Sequence, residues 1–330
     1  MGGSSWSDDF YSDRVSDRAK TGTPTFDYDH KVKTGVVAAV VNDRLNIKGK
    51  IRESRDSDAH PESTAIGVIF DVTGSMSSVP SKLQEKLPQL MGLLLRKGYI
   101  KDPQILFGAV GDYFADRIPL QIGQFESGIE MDEDVTTLVL EGGGGGSYEE
   151  SYQNALYFFA HKTSIDCFEK RGKKGYLFLI GDEKPYPVSR KNELAELIGD
   201  SVETDLSIKD IISAVTEKYN VFFIIPKGTS HYGDPILKNC WAELLGAQNV
   251  IMLEDPSTVC ETIGITIGLL EGTCTADGMA TDLKDLGAGT AIIKSVTTGL
   301  DTLAKNVSLV KVGTGSLPEK TGRSTTTTRL

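Results

Sequence analysis

The chain has 330 residues, 39% hydrophobic and 25% charged, and its 46 acidic side chains outnumber 35 basic ones for a formal net charge of −11. That balance argues against a protein built to neutralise nucleic-acid phosphates. A chain this long can bury a core without covalent staples, and its four cysteines and four histidines show neither a disulfide framework nor a zinc spacing.

Residues 1–62 are polar, with a weak strand pattern at 36–41 and a charged stretch at 52–58. They read as an N-terminal extension. Uninterrupted apolar runs follow at 65–70, 105–110, 176–180, 221–225 and 250–253, the pattern of parallel strands buried on both faces. Helix-period segments lie between them. In 80–97 the residues Leu83, Leu87, Leu90, Met91, Leu94 and Leu95 share one face, with Pro80 tolerated in the first turn and Pro88 predicted to kink the helix. Segments 118–125 and 135–140 have no helix pattern between them and predict an edge hairpin or edge strand. Residues 148–162 are helical in spacing. Ser207 and Asp210 form a capping pair, Asp234-Pro235 opens a helix that Gly246 ends, and 256–272 is a further helix. Residues 273–312 predict one helix carrying Ile292, Val296, Leu300 and Leu303, then a short strand at 309–312. The tail, 313–330, is too poor in apolar residues to order by itself.

Strands alternating with helices predict an α/β fold. It is a doubly wound, mostly parallel sheet flanked by helices, Rossmann-type, with one antiparallel edge strand. In such a sheet ligands bind outside the carboxyl ends of the strands. Four strands run straight into acids there: Asp71, Asp112, Asp182 and the pair Glu254-Asp255. An Asp in this place also caps the next helix, so a single one says little. The first is followed by Thr73 and Ser75, so that a carboxylate and two hydroxyls can be aimed at one point. Hard oxygens around a point suit Mg²⁺, Mn²⁺ or Ca²⁺.

Asp71-Val72-Thr73-Gly74-Ser75-Met76, after an apolar strand, resembles the metal-ion-dependent adhesion site of von Willebrand factor A domains. The likeness runs from 63 to 272 and is greatest to the bacterial and phage branch. It includes a Gly-rich second loop at 140–151 and a third loop at 179–183. The resemblance implies that Thr73 and Ser75 ligate the metal directly, with Asp71 and Asp182 nearby, often through water. The family usually adds a Thr from the second loop. None stands between Gly142 and Tyr148, which leaves Ser147, Glu149 or water. It further implies a non-enzymatic protein-binding module whose Mg²⁺ (or Mn²⁺ or Ca²⁺) engages an Asp or Glu of a protein partner, with no nucleic-acid or membrane partner. No apolar run approaches the ~20 residues of a membrane helix, and no secretion signal opens the chain. The expected setting is cytoplasmic, or the virion for a phage protein.

Two other readings stand beside this one. The first is an assembly subunit, of a phage particle or a multiprotein complex, with incidental metal. The second is a metal-dependent phosphohydrolase, which commonly needs a second carboxylate two residues after its Asp nucleophile, where Thr73 stands. The glycines at 142–146 lack the Lys-Ser/Thr of a phosphate loop. Residues 101–150 hold eleven acids against Lys101 and Arg117. Glu130, Asp132, Glu133 and Asp134 are expected as exposed members of a field steering cations or a basic partner face.

Overall fold

A computed structural model describes residues 4–76, 79–143 and 147–313. Its main sheet has six strands: β1 (Ser63–Asp71), β2 (Asp102–Val110), β3 (Leu120–Ile122), β4 (Gly175–Ile180), β5 (Tyr219–Pro226) and β6 (Val250–Leu253). They lie in the order β6-β5-β4-β1-β2-β3, all parallel except the antiparallel edge strand β3. Every residue of β1 is buried, as its unbroken apolar run predicts.

The helices used below are α1 (Asp8–Thr21), α2 (Asp27–Lys33), α3 (Val79–Glu85), α4 (Leu87–Met91), α5 (Glu130–Thr137), α6 (Tyr152–His161), α7 (Ile208–Lys218), α8 (Pro235–Leu245), α9 (Val259–Glu271), α10 (Met279–Asp285), α11 (Thr290–Gly299) and α12 (Asp301–Gly313). Leu83, Leu90 and Ile263 join Ile66, Val68 and Phe70 in a core on one face of the sheet. Phe159, Ile211 and Trp241 join Ile69 and Leu179 on the other. The fold is therefore doubly wound, with the strand order reversing between β1 and β4. The expected helix punctuation is present. Ser207 accepts from the Asp210 amide, Asp234 caps α8, and α3 ends before α4 restarts with Pro88 in its first turn.

Four elements differ from the sequence reading, the first being that the one helix expected in 273–312 is three, α10, α11 and α12, broken after Asp285 and Gly299. Residues 135–137 close helix α5 rather than a strand; acids in its first turn complement the helix dipole, and Thr136 bonds back to the Asp132 carbonyl. Segment 36–41 forms no strand, and 309–312 belongs to α12, whose Leu303 and Ala304 pack in the core. The predicted tail, apart from Gly313, lies outside the described residues.

The polar N-terminal residues are wound onto the sheet. Tyr11 is buried and donates to the Gln84 carbonyl at 2.6 Å. Leu45 enters the core, and its carbonyl accepts from the Ile122 amide at 2.9 Å. Arg52 donates to the Ile122 carbonyl at 2.8 Å. Both outward backbone groups of Ile122 are thereby satisfied, which blunts the open edge of β3. The expected exposed acid field is instead an ionic seam. Asp132 and Asp134 are buried, Arg14 and Arg18 meet Asp132, and Arg44 meets Asp134. Arg14 and Arg44 both reach Glu133, and Ser4 donates to Glu130.

Candidate metal centre

Register places the strand-end acids on one rim. Asp71 stands opposite Val110, so Asp112 lies just beyond β2; Phe70 stands opposite Ile180, so Asp182 lies just beyond β4. This is the side of the sheet where β1 and β4 diverge toward opposite flanks.

Asp71 is fully buried and its oxygens are spoken for. Oδ1 accepts from the Thr73 amide at 2.8 Å and the Thr73 hydroxyl at 2.6 Å, and Oδ2 accepts from the Tyr152 hydroxyl at 2.8 Å. Tyr152 reaches it because position 181 is glycine; a Cβ there would collide with the tyrosine hydroxyl. Ser75 lies on the 3-10 turn Gly74–Met76, of which only the backbone is described at this position. Two backbone bonds zip this first loop to the Gly-rich one: Gly74 donates to the Gly143 carbonyl at 2.7 Å, and Gly142 donates to that of Val72 at 3.0 Å. A Cβ at position 74 would press on the Gly142 and Gly143 carbonyls, a direct reason for glycine there. Gly144, Gly145 and Gly146 lie outside the described residues.

Ser147 is exposed; its hydroxyl donates to the Glu149 carbonyl at 2.8 Å and lies 3.4 Å from that of Tyr186. Residues Glu149–Glu150 pair with Lys184–Pro185 beyond the main sheet, and this pairing turns Glu150 inward. Glu150 is fully buried. One of its oxygens accepts from the Ser151 amide at 2.7 Å, and the other, Oε2, has no partner among the described residues. Asp182 is also buried and accepts from the His231 amide at 3.1 Å, while its own carbonyl lies 3.0 Å from His231 Nδ1. Glu183 is half-buried. Asp71, Glu150 and Glu183 each bring an oxygen within 4.8 Å of the others.

Three carboxylates so close cannot all stay charged without a counter-ion. Burial, above all, raises the Asp71 carboxyl, against the bonds from Thr73 and Tyr152, and the Asp182 charge adds to the rise. Burial also raises Glu150, and the Asp71 charge reinforces it. Glu183 is pushed up to about 8 by burial and then by Asp71, Asp182, Asp112 and Asp116. A hard divalent cation among these oxygens would neutralise them, and the orphaned Glu150 oxygen would gain a ligand, so the residues fit such an ion.

The sign of the pH dependence follows. Raised carboxyl pKa values mean that the folded chain holds protons the unfolded chain has released. Without metal, this stability is fully present below the unfolded carboxyl range near 4 and is lost as pH rises through about 8. In EDTA the melting temperature should therefore fall between pH 5 and pH 9, and saturating Mg²⁺ should remove most of that slope. Thermal denaturation across pH checks this; equal slopes with and without Mg²⁺ would count against a cation at these carboxyls.

No protein-family model matches the chain, and no curated protein matches it. Solved structures do match, at low identity. One is proximal thread matrix protein 1 from the mussel byssus, 10% identical with a TM-score of 0.41 over 63% of this chain and 46% of that one. Another is the pilus adhesin SpaC from Lactobacillus rhamnosus GG in its open conformation, 9% identical with a TM-score of 0.45 over 68% of this chain and 31% of that one. The chain spans less than half the length of either structure.

Proposed function

We propose that this chain is a von Willebrand factor A-like, divalent-metal-dependent protein-binding module that works inside the cell or within a virus particle. Mg²⁺, or Mn²⁺ or Ca²⁺ in its place, would be held by the first-loop residues Asp71, Thr73 and Ser75 with Asp182 and the Glu150 carboxylate, and Ser147 lies on the flanking loop. The observation that carries the reading is the buried Glu150 oxygen without a partner, beside Asp71 and Glu183 at the strand-end rim. Burying a carboxylate oxygen without a partner is costly, and a cation beside it would offset that cost. The bound ion would offer a coordination position to an Asp or Glu of a protein partner, and the rim loops would supply specificity. Binding is favoured over phosphoryl transfer because Thr73 stands where such phosphohydrolases commonly carry a second carboxylate for proton transfer. No helix among the described residues is long and apolar enough to cross a membrane.

Affinity capture from an extract of the source organism, in Mg²⁺ and again in EDTA, tests this reading. Proteins retained in Mg²⁺ and released by EDTA are expected, with none retained by Asp71→Asn. A stable complex indifferent to EDTA and to that substitution would make the chain an assembly subunit instead.

A further inference from the structure

The three clustered carboxylates are held very differently. Asp71 is fully buried and fixed by three hydrogen bonds. Glu150 is fully buried, with one oxygen on the Ser151 amide and the other unpartnered. Glu183 is half-buried, and its side chain makes no hydrogen bond or ion pair among the described residues. Its backbone, by contrast, is pinned, since its carbonyl accepts from Trp241 Nε1 at 3.0 Å. Of the three carboxylates, that of Glu183 is the most exposed and the one that no hydrogen bond or ion pair among the described residues holds.

We propose that Glu183 is an internal competitor, occupying on the bound cation the coordination position that a partner's Asp or Glu takes and leaving it when the partner binds. The proposal rests on the metal-binding reading above. Charge bookkeeping favours exchange over addition. The Asp71 and Glu150 carboxylates, with Asp182 beside them, already offset the two charges of a divalent ion, so with Glu183 in place the cluster carries surplus negative charge and repels another carboxylate. Once Glu183 swings out, an arriving carboxylate restores the same ligand set and the same charge. The swing is possible because no protein donor holds the Glu183 carboxylate. Asp71 and Glu150 cannot make it, because leaving would orphan buried donors: Thr73 and Tyr152 for the first, Ser151 for the second. The device would keep the ion protected until a partner of sufficient affinity displaces the internal ligand, which favours selective partners over any exposed acid.

The test uses Mn²⁺ alone as the probe on the full chain. Mn²⁺ affinity is measured by calorimetry and access of water to the ion by proton relaxation, for wild type, Glu183→Gln and Glu183→Ala. Melting curves in EDTA confirm that the variants are folded. The alanine variant should bind Mn²⁺ within about tenfold of wild type, a smaller loss than removal of a fixed ligand causes. Its relaxation enhancement should rise because water enters the vacated position. Added acetate should return that enhancement toward the wild-type value in the alanine variant and do little to wild type. Identical affinity and relaxation in wild type and Glu183→Ala would overturn the proposal, because Glu183 would then not touch the ion. Collapse of affinity in both variants would overturn it differently, by making Glu183 an obligatory ligand. Absence of Mn²⁺ binding in wild type is a separate outcome, which removes the metal-binding reading and this proposal with it.

Discussion

Asp71→Asn should lower Mg²⁺ or Mn²⁺ affinity by about a hundredfold or more, because it removes a charge at the centre of the site and not merely a neighbour that orients a ligand. Asparagine is the informative replacement. Asp71 accepts from the Thr73 amide, the Thr73 hydroxyl and the Tyr152 hydroxyl, all in a fully buried setting. Alanine would orphan those donors at about 1–3 kcal/mol for each one left unsatisfied, confounding lost ligation with lost stability. The asparagine carbonyl can still accept from Thr73, and the tyrosine hydroxyl can turn to accept from the new amide. In EDTA this variant should be as stable as wild type or more so, since one of several crowded carboxyls is gone. Ser75→Ala should also weaken the ion, whereas Asp182→Asn should weaken it less if Asp182 acts through water. Isothermal titration with both metals checks the series. Unchanged affinity in Asp71→Asn and Ser75→Ala together would refute a cation at this rim.

The parts of this site that were legible in the sequence are those tied to strand ends. Buried parallel strands announce themselves as continuous apolar runs, and the first polar residue after each run marks the rim. Asp71, Asp112 and Asp182 were found in that way. Glu150 and Glu183 were not, for a physical reason. Glu149 and Glu150 are adjacent, and only the short pairing with Lys184–Pro185 decides which of them points inward. Glu183 comes after β4 has ended, where the alternation of a strand no longer fixes direction. The N-terminal helices were hidden by composition. Helix α1 buries only Tyr11 along its length, so it lacks the apolar stripe that betrays most helices, although Ser7 before two aspartates is a readable cap. Its attachment is ionic, and the arginines that match the acids of α5 lie over a hundred positions away in the chain.

Asp132→Ala should be the most damaging single change to that attachment, lowering stability by about 2–3 kcal/mol. The Asp132 side chain is wholly inaccessible and joins three elements. It accepts from Arg18 of α1 at 2.7 and 3.3 Å, from Arg14 of α1 at 3.0 Å and from Gln84 of α3 at 2.8 Å, while itself belonging to α5. Burial pushes its carboxyl up, but the bonds from Arg18 and Gln84 and the Arg18 charge outweigh that, and the net shift is downward. Breaking a fully buried pair costs about 3–5 kcal/mol. The lower expectation applies because Arg14 and Arg18 retain 34% and 17% side-chain exposure and can partly rehydrate. Urea unfolding at constant m-value measures the loss, and a double-mutant cycle with Arg18→Ala separates the pair from the rest of the seam. The pH dependence supplies an independent check. A depressed carboxyl pKa contributes stability above its unfolded value, near 3.8, and that stability is lost as pH falls through the folded value. Wild type should therefore converge on the variant in strong acid and separate from it above about pH 4. A loss within about 0.5 kcal/mol would place Asp132 among ordinary surface positions and leave Tyr11, Leu45 and Arg52 as the anchors of the N-terminal segment. A loss of the expected size would mean more than a fastened tail. Helix α3 follows the Asp71 loop and α5 leads into the Gly-rich one, so the same carboxylate braces the elements that flank both loops beside Asp71.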